Sequence, residues 1–442
     1  MKLAVVGAGW AGLAAAVEAM DAGVDVTLFE ATRTPGGRAR ALTANRPDGV
    51  PLILDNGQHI LIGAYRETLA LMQRLGVDPQ SALLGTPLSL PYPDGSGLQT
   101  PSWAARWPAP LDAVAAICTA RGWRWSERLA LVRASLGWKH SGFACAPGLT
   151  VGELCRALPE RVMEELIEPL CVSALNLPAA SASAQVFLTV MRDALFGQGF
   201  GPWSASALLL PRDDLGALLP EAACRVLGSR VRLGTRVTAI EPDGAGWMLT
   251  GEDWNDTFDQ VIWATAASPA ALALGAATGV NATGAALRDW AATARRLDFT
   301  AITTVYAWAP GARLPAPMVA LRCRPDAPAQ FAFDRGQLRA DDARLQGVLA
   351  FVVSASEGER DQLQDRVMAQ AAEQLGLRNL QPIQTVVEKR ATFACKPGLL
   401  RPAMAVAPGL WAAGDYVDGP YPATLEGAVR SGLAAARRAI AG

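Results

Sequence analysis

Residues Lys2–Gly12, KLAVVGAGWAG, open the chain and decide its fold. The apolar residues after Lys2 predict a short buried strand, and Gly7, Gly9 and Gly12 follow it in the spacing G-x-G-x-x-G. These glycines permit a tight turn, a close approach of a pyrophosphate to the backbone, and close packing of a helix on the strand. The N-terminus of that helix offers free N–H groups to phosphates. The stretch therefore predicts a dinucleotide site.

A second strand with an acid at its end completes this unit. We predict a helix over Ala11–Ala22 and a strand over Val24–Glu30, which together form a β-α-β unit of about 30 residues. The carboxylate of Glu30 is placed to accept hydrogen bonds from a ribose diol, and it disfavours the 2′-phosphate of NADP. A strand–helix turn without a ligand is the alternative for this motif taken alone.

Gly36-Gly37-Arg38 follows directly and adds backbone donors and a positive charge. A simple NAD-dependent dehydrogenase does not need this addition. We interpret the triplet as a second contact to the same pyrophosphate; a surface turn with a solvated arginine is the alternative.

A third motif, Asp55–His59 (DNGQH), comes after the apolar run Leu52–Leu54. A glycine between amide side chains, here Gly57 between Asn56 and Gln58, indicates backbone that approaches a flat ring. His59 is either a proton donor or a packed imidazole.

The fourth motif lies at the other end of the chain. Trp411–Asp415 predicts a strand that ends in Gly414-Asp415, whose carboxylate can reach a polyol chain such as ribitol. The helix predicted over Leu425–Ala441 can face the carbonyl edge of a ring with its positive N-terminus. This combination favours a flavin over a nicotinamide.

In the part of the chain between these motifs, helical and strand patterns of apolar residues alternate. The segment 83–210 begins with proline-rich loops and becomes helical over Glu160–Phe196, with predicted breaks at Pro169 and Pro178. Strands are predicted over Val231–Glu241 and, further on, near Thr300–Trp308 and Gly347–Ser354. Such alternation predicts two domains that interleave.

Composition limits the class of protein. The chain has 442 residues, 51% of them hydrophobic and 18% charged, with a net charge of −1. These values predict two or three domains, no binding of nucleic acid, and no extended disorder. Seven scattered cysteines and two histidines predict free, buried thiols in a reducing cytosol and no zinc site. Neither Met1–Met20 nor Val261–Leu287 has the composition of a signal peptide or a spanning helix.

The four motifs together resemble the FAD-dependent amine oxidase and phytoene desaturase superfamily over the whole chain. Asp55–Tyr65, DNGQHILIGAY, resembles in particular the hydroxysqualene dehydroxylases, the squalene-associated members found in bacterial hopanoid clusters. Pro169–Asn176 and Asp415–Glu426 support this resemblance.

The resemblance implies an α/β fold with a Rossmann-like FAD-binding domain of p-hydroxybenzoate-hydroxylase type and an interleaved α+β substrate domain. We assign residues 1–85, 211–275 and 395–442 to the first domain and residues 86–210 and 276–394 to the second. The residues that we expect to bind FAD are Gly7, Gly9, Trp10, Ala11, Gly12, Glu30, Gly36, Gly37, Arg38, Asn56, Gly57, Gln58, Val237, Gly414, Asp415, Thr424 and Leu425.

By the same resemblance the reaction is the reductive replacement of the allylic hydroxyl of hydroxysqualene, an apolar isoprenoid. His59 and Tyr421 are the candidate proton donors; Glu165 and Glu168 either line the cavity or lie on a solvated helix face. Desaturation of a polyene such as phytoene is an alternative, and a flavin-holding scaffold without turnover is another. Amine oxidation is disfavoured because none of the four lysines stands in a motif that would place it near the flavin. No second G-x-G-x-x-G for NAD(P)H follows.

The stretch Trp103–Trp138 has two interpretations. It combines five tryptophans with five arginines, a composition that suits a peripheral contact with the inner face of a membrane. The alternative places the tryptophans, Trp123 and Trp125 among them, in the core of the substrate domain, with the arginines on its outer face. Oligomeric state is left open by the sequence.

Overall fold

The computed structural model describes residues 1–105, 107, 109–277 and 282–442. In this part of the chain the strands are β1 (Lys2–Val6), β2 (Asp25–Phe29), β3 (Ala41–Asn45), β4 (Pro51–Asp55), β5 (Leu61–Ile62), β6 (Leu83–Thr86), β7 (Ser89–Pro91), β8 (Gly97–Gln99), β9 (Leu208–Pro211), β10 (Val231–Arg232), β11 (Ala239–Asp243), β12 (Gly246–Thr250), β13 (Asn255–Phe258), β14 (Gln260–Trp263), β15 (Phe299–Trp308), β16 (Met318–Ala320), β17 (Phe331–Asp334), β18 (Val348–Ser354), β19 (Gln381–Phe393), β20 (Ala405–Ala407) and β21 (Leu410–Ala412).

The helices are α1 (Trp10–Asp21), α2 (Arg66–Arg74), α3 (Pro79–Ala82), α4 (Leu111–Thr119), α5 (Trp125–His140), α6 (Val151–Leu154), α7 (Glu160–Val162), α8 (Glu168–Leu175), α9 (Ala184–Phe196), α10 (Leu215–Leu218), α11 (Pro220–Leu227), α12 (Ala267–Ala276), α13 (Ala282–Arg295), α14 (Arg335–Leu338), α15 (Arg360–Leu375) and α16 (Leu425–Ala441). Single 3₁₀ turns lie at Ser102–Ala104, Gly228–Arg230 and Ala343–Leu345, and a π turn lies at Met163–Ile167. Among the described residues, no helix combines the length and the hydropathy needed to cross a membrane.

A six-stranded sheet in the order β10-β2-β1-β14-β21-β20 carries the dinucleotide turn. Its centre is parallel, with β1 between β2 and β14, and α1 and α16 pack together beside it. Gly12 allows α1 to pack closely on the turn after β1, because a Cβ at that position would lie 1.8 Å from the carbonyl oxygen of Gly7. The mixed α/β architecture and this parallel sheet confirm the predicted Rossmann-like fold.

A second, antiparallel sheet follows the order β16-β17-β18-β15-β19. Strand β18 is buried along its whole length, and α15 covers one face of the sheet. β19, with 13 residues the longest strand, was not predicted, because its charged and polar residues lack a regular alternation. The domain segments stay a prediction; β6 and β9, which pair with each other, each extend one residue across a proposed boundary.

The helical region corrects one prediction. The chain remains helical from Glu160 to Leu175, so that Pro169 does not break it. A π turn precedes this proline, whose missing N–H leaves the carbonyl of Glu165 without its helical donor. The hydroxyl of Tyr92 donates to that carbonyl at 3.4 Å instead. The predicted interruption around Pro178 is confirmed, since α8 ends at Leu175 and α9 begins at Ala184.

The predicted strand Val231–Glu241 is also wrong as a single element. It consists of β10 and the start of β11, separated by an extended loop that contains Val237. β10 pairs with β2 in the parallel sheet, whereas β11 pairs with β12 in a separate hairpin, so the chain must change sheets between them.

Candidate cofactor and substrate site

One cavity of about 1010 Å³ extends from the dinucleotide turn into the helical region. Of the seventeen residues expected to bind the cofactor, all except Gly12 line it. We call the part of the cavity around these residues, which also includes the charged residues Arg40, Arg236 and Glu388, the cofactor end. We call the remainder the apolar end; its wall includes Leu88, Leu90, Leu98, Ala113, Ile117, Leu131, Ser135, Trp138, Leu166, Ile167, Leu170, Asn176, Met191, Leu195, Ser206, Phe331, Phe333 and Val352.

The dinucleotide turn leaves open space where a phosphate group would bind. Gly7 has a φ of 108°, and a Cβ there would lie 2.9 Å from the carbonyl oxygen of Ala264. Gly9 differs, because its φ is −73° and a Cβ would meet no protein atom within 4 Å. The empty volume above Gly9 therefore belongs to the cavity and is bordered by the N-terminus of α1.

Hydrogen bonds and an ion pair within the protein hold the charged residues Glu30, Arg38 and Asp415 of the cofactor end in place. Glu30 accepts hydrogen bonds from the backbone N–H groups of Ala8 and Thr32, both at 2.8 Å. Arg38 donates to a carboxylate oxygen of Asp415 at 2.5 Å. Burial disfavours the charge of Arg38, but Asp415 and Glu388 outweigh this effect and raise the pKa of the guanidinium. An arginine that stays charged in a buried cleft can neutralise a pyrophosphate.

Two buried hydroxyl groups near the cofactor end have no hydrogen-bond partner among the described residues. They belong to Tyr416, which lines the cavity, and to Thr304, whose Oγ1 would lie 3.8 Å from a Cβ on Gly57. Buried polar groups normally find a partner. A polar ligand beside Gly57, the open turn at Gly9 and the charge of Arg38 together fit a flavin dinucleotide.

Asp55, the first residue of the DNGQH motif, has a structural role. Its Oδ1 accepts from the backbone N–H of Leu215 at 2.7 Å, and Tyr306 donates to its carbonyl oxygen at 2.9 Å. Burial raises the pKa of the carboxyl to about 6, although Arg335 at 3.7 Å opposes this shift. Arg335 also donates to Gln58. These contacts fix the loop that brings Gly57 to the cavity.

His59 lines the cavity, and its hydrogen bond determines its tautomer. Nδ1 lies 2.6 Å from the carbonyl oxygen of Gly57. Because a carbonyl only accepts, Nδ1 carries the proton, and Nε2 is the nitrogen that gains or loses one. Burial, and then the positive charge of Arg38, lower the pKa of the imidazole. His59 can therefore donate through Nε2 only after it is protonated, and its lowered pKa means that this requires a lower pH than an ordinary imidazole does.

Tyr421, the other candidate donor, is not part of the cavity wall. Its ring lies edge-on to Tyr65, with centroids 6.2 Å apart, and Arg430 lies over its other side. Burial raises the pKa of its hydroxyl. Tyr65 lines the cavity in its place. This arrangement gives Tyr421 a supporting position behind Tyr65.

Glu165 and Glu168 do not line the cavity, and neither lies on a solvated helix face. The carboxylate of Glu165 is buried and accepts from Trp123 Nε1 at 2.8 Å and from Arg322 at 3.2 Å. Glu168 accepts from the backbone N–H of Ala179. Their neighbours Leu166 and Ile167, which lie in the π turn, line the cavity instead.

The apolar end contains no charged side chain among the residues that the structure describes. Its polar groups are serine, threonine and asparagine side chains such as Ser135, Asn176 and Ser206. All four lysines are described, and none lines the cavity. A cationic substrate would find no counter-charge in such a pocket.

The family model described as flavin containing amine oxidoreductase matches residues 10–440. The chain belongs to this family. Members of the family carry a flavin, and the geometry of the cofactor end fits one, so FAD is the cofactor and the chain is an FAD-dependent oxidoreductase.

Two relatives resemble the chain over its full length. The hydroxysqualene dehydroxylase of Rhodopseudomonas palustris is 27% identical over 99% of this chain and 98% of its own length. That of Sinorhizobium fredii is also 27% identical, over 99% of this chain and 97% of its own length. The zeta-carotene desaturase of Synechocystis is 40% identical, but over only 17% of this chain and 15% of its own length.

Two solved structures share the fold. An oxidoreductase from Methanosarcina mazei superimposes with a TM-score of 0.71 over 99% of this chain and all of its own, at 15% identity. Cyclohexylamine oxidase from Brevibacterium oxydans gives a TM-score of 0.64 over 99% of this chain and 98% of its own, at 17% identity.

Several residues of the site were not found from the sequence. Asn176 lies at the end of α8 in the left-handed conformation, with a φ of 49°. Its amide donates to Thr300 and Thr392 at 2.8 and 3.0 Å, and its oxygen accepts from the N–H of Ala355. An asparagine after a helix is a known C-terminal signal. Thr392, on β19, gave no comparable signal.

A buried carboxylate, that of Glu426, supplies a first stability prediction. It accepts from the backbone N–H and the hydroxyl of Thr68 at 2.9 and 2.7 Å and so caps α2. We expect Glu426→Ala to lower the free energy of unfolding by about 3 kcal/mol, because two buried donors lose their acceptor. Chemical denaturation monitored by circular dichroism measures this loss. Glu67→Ala, which removes an acid from the same helix turn but keeps the cap, should cost less than about 1 kcal/mol; equal losses would contradict the assigned role.

Proposed function

We propose that this flavoenzyme removes an allylic hydroxyl reductively from a long isoprenoid alcohol, converting hydroxysqualene to squalene in hopanoid biosynthesis. The observation that carries the proposal is the apolar end of the cavity, which continues from the cofactor end without a charged side chain. The whole cavity, at about 1010 Å³, lies at the upper limit of the usual range of about 300–1,000 Å³ for a small-molecule site. The full-length similarity to two hydroxysqualene dehydroxylases supports the same substrate class.

The wall of the cavity suits the departure of a hydroxyl group. A C–O bond that breaks in this way leaves positive charge on an allylic carbon, and water would recapture it. The apolar side chains exclude water, and the rings of Trp138, Phe331 and Phe333 offer faces that stabilise a cation. Protonated His59 can donate from Nε2 to the hydroxyl, so that the group leaves as water. Bound FAD in its reduced state supplies the hydride that replaces it.

The proposal is tested in a single turnover without oxygen. The flavin is reduced with dithionite, the reductant is removed, and a C30 allylic alcohol is added. We expect one equivalent of flavin to become oxidised while the alcohol is converted to the hydrocarbon, which mass spectrometry identifies. A flavin that stays reduced beside unchanged alcohol would contradict the proposal.

A desaturase is the second candidate, and the local similarity to zeta-carotene desaturases favours it. The same apparatus separates the two functions because the hydride would travel in the opposite direction. An oxidised enzyme mixed anaerobically with a polyene such as phytoene would bleach if it were a desaturase. We expect the flavin absorbance to remain unchanged in that mixture.

A further inference from the structure

The outward face of α5 carries an apolar stripe that the core does not use. Trp125, Leu129 and Leu136 are 66%, 49% and 61% exposed, and Val132 lies half-buried between them. These positions follow the spacing i, i+4, i+7, i+11, which places them on one side of a helix. Single exposed apolar residues are ordinary, whereas a contiguous patch marks an interaction site.

Neighbouring segments extend this patch. Trp103, Trp107, Leu111 and Val114 are each more than two-fifths exposed, and the rings of Trp103 and Trp107 contact each other at 4.9 Å. The turn that holds Trp103 packs on α4, and α4 packs on α5. We call these residues together the outer apolar surface: Trp103, Trp107, Leu111, Val114, Trp125, Leu129, Val132 and Leu136.

Neither of the two sequence-based interpretations of Trp103–Trp138, a membrane contact or a buried core, holds for all five tryptophans. Trp123 and Trp138 are buried; the first donates to Glu165 and the second packs edge-on against Phe187. Trp103, Trp107 and Trp125 are exposed. Arg106, which the membrane hypothesis also included, lies outside the described residues.

Positive charge borders the outer apolar surface. The guanidinium of Arg128 lies 4.8 Å from the ring centre of Trp125, and Arg133 and Lys139 are exposed on α5. Each of the two helices contains one acid, and neither acid offsets this charge at the surface. Asp112 is buried and accepts from Ser206 at 2.7 Å, while Glu127 caps its own helix and pairs with Arg161 at 3.7 Å.

The opposite faces of the same helices line the cavity. Ala113 and Ile117 on α4 and Leu131, Ser135 and Trp138 on α5 belong to the wall of the apolar end. A layer one helix thick therefore separates the outer apolar surface from the substrate space. A substrate that is insoluble in water needs such a short path from lipid to cavity.

We propose that the outer apolar surface docks on an anionic lipid bilayer, with α4 and α5 in the headgroup region, and that the substrate passes between these helices into the cavity. Apolar residues flanked by basic side chains are the pattern of helices that lie in the membrane interface. A protein partner would equally cover apolar side chains, but it would not account for the cavity directly behind them. The route of the substrate rests on the proposed function; the docking itself does not.

Vesicle flotation tests the docking without any turnover. The FAD-loaded enzyme is mixed with vesicles of phosphatidylcholine and phosphatidylglycerol, and with vesicles of phosphatidylcholine alone, at low and high salt. We expect flotation with the anionic vesicles, weakened by salt because exposed charges are screened. Trp125→Ser/Leu129→Ser/Leu136→Ser should reduce the bound fraction at least tenfold while keeping its FAD.

Matched controls decide the interpretation. Val226→Ser/Leu233→Ser/Leu400→Ser removes exposed apolar side chains elsewhere and should float like the wild type.

The α5 variant should turn over detergent-solubilised alcohol at the wild-type rate and lose activity only on alcohol held in vesicles. A wild type that never floats, or an α5 variant that floats equally well, overturns the docking. So does a shift from dimer to monomer in that variant, which would make the surface a contact between two copies. Flotation without turnover of the alcohol would overturn the proposed function alone.

Discussion

A Gly9→Val enzyme is expected to fold and to purify without flavin. A Cβ at Gly9 meets no protein atom within 4 Å, and the φ of −73° is one that any residue adopts. The substitution therefore creates no clash within the protein. Its branched side chain instead fills the space above the N-terminus of α1, where the pyrophosphate of FAD must approach the backbone. Flavin content, measured from the absorbance released by acid precipitation, should fall below detection.

Two other glycines provide the comparisons for this experiment. Gly148→Val also adds a side chain to open space but does not line the cavity, and it should keep its full flavin content. Gly12→Val should fail to fold, since its Cβ would lie 1.8 Å from the carbonyl oxygen of Gly7. A folded Gly9→Val protein with normal flavin content would falsify the assignment of the dinucleotide turn.

The same wild-type preparation tests how the flavin is held. No cysteine or histidine stands in a recognised flavinylation motif, so we expect the flavin to be bound noncovalently. Acid precipitation should release it into the supernatant, and colour retained in the protein pellet would contradict this expectation.

The parts of this molecule that could be predicted are those whose structure is determined by residues close together in the sequence. The turn at Gly7–Gly12 and the segment Gly414-Asp415 after β21 depend on glycine positions and on short apolar runs, which a sequence displays directly. α16 was predicted over Leu425–Ala441, and the structure has the same bounds, with Thr424 as the N-cap of the helix. β19 depends on its partner β15 rather than on its own pattern.

Side-chain direction was the harder property to predict. Glu165 has the sequence surroundings of a solvated helix face, yet Trp123 and Arg322 on distant segments bury and pair its carboxylate. Tyr421 lies in a motif close to the cofactor end, but its own ring lies behind that of Tyr65. Its backbone has a positive φ of 59°, which is rare for a residue other than glycine. Such outcomes depend on contacts between segments far apart in the chain, which no local pattern encodes.

His59→Gln is expected to slow the single-turnover reaction by about 10²–10⁴-fold, the usual contribution of a positioned acid. Nδ1 is engaged with the carbonyl of Gly57, so that Nε2 is the nitrogen available to the substrate hydroxyl. A glutamine amide can still form a hydrogen bond there, but it cannot transfer a proton. Tyr421→Phe, which removes the other candidate hydroxyl, should change the rate by less than about threefold, because Tyr421 does not line the cavity.

The pH dependence of the same reaction tests whether the protonated form of His59 is the active one. Burial and the charge of Arg38 lower the pKa of His59, so the imidazolium form is the minor one at neutral pH. The wild-type rate should therefore rise as the pH falls through a value below about 6.5, the ordinary pKa of an imidazole, and then become constant. His59→Gln should lose this rise and keep its flavin. Two results would contradict this assignment: a wild-type rate that falls on acidification, or a His59→Gln variant that retains the wild-type pH profile. Either result would mean that a group other than His59 donates the proton. The hydroxyl groups of the apolar end, beginning with Ser206, would then be the candidates to test.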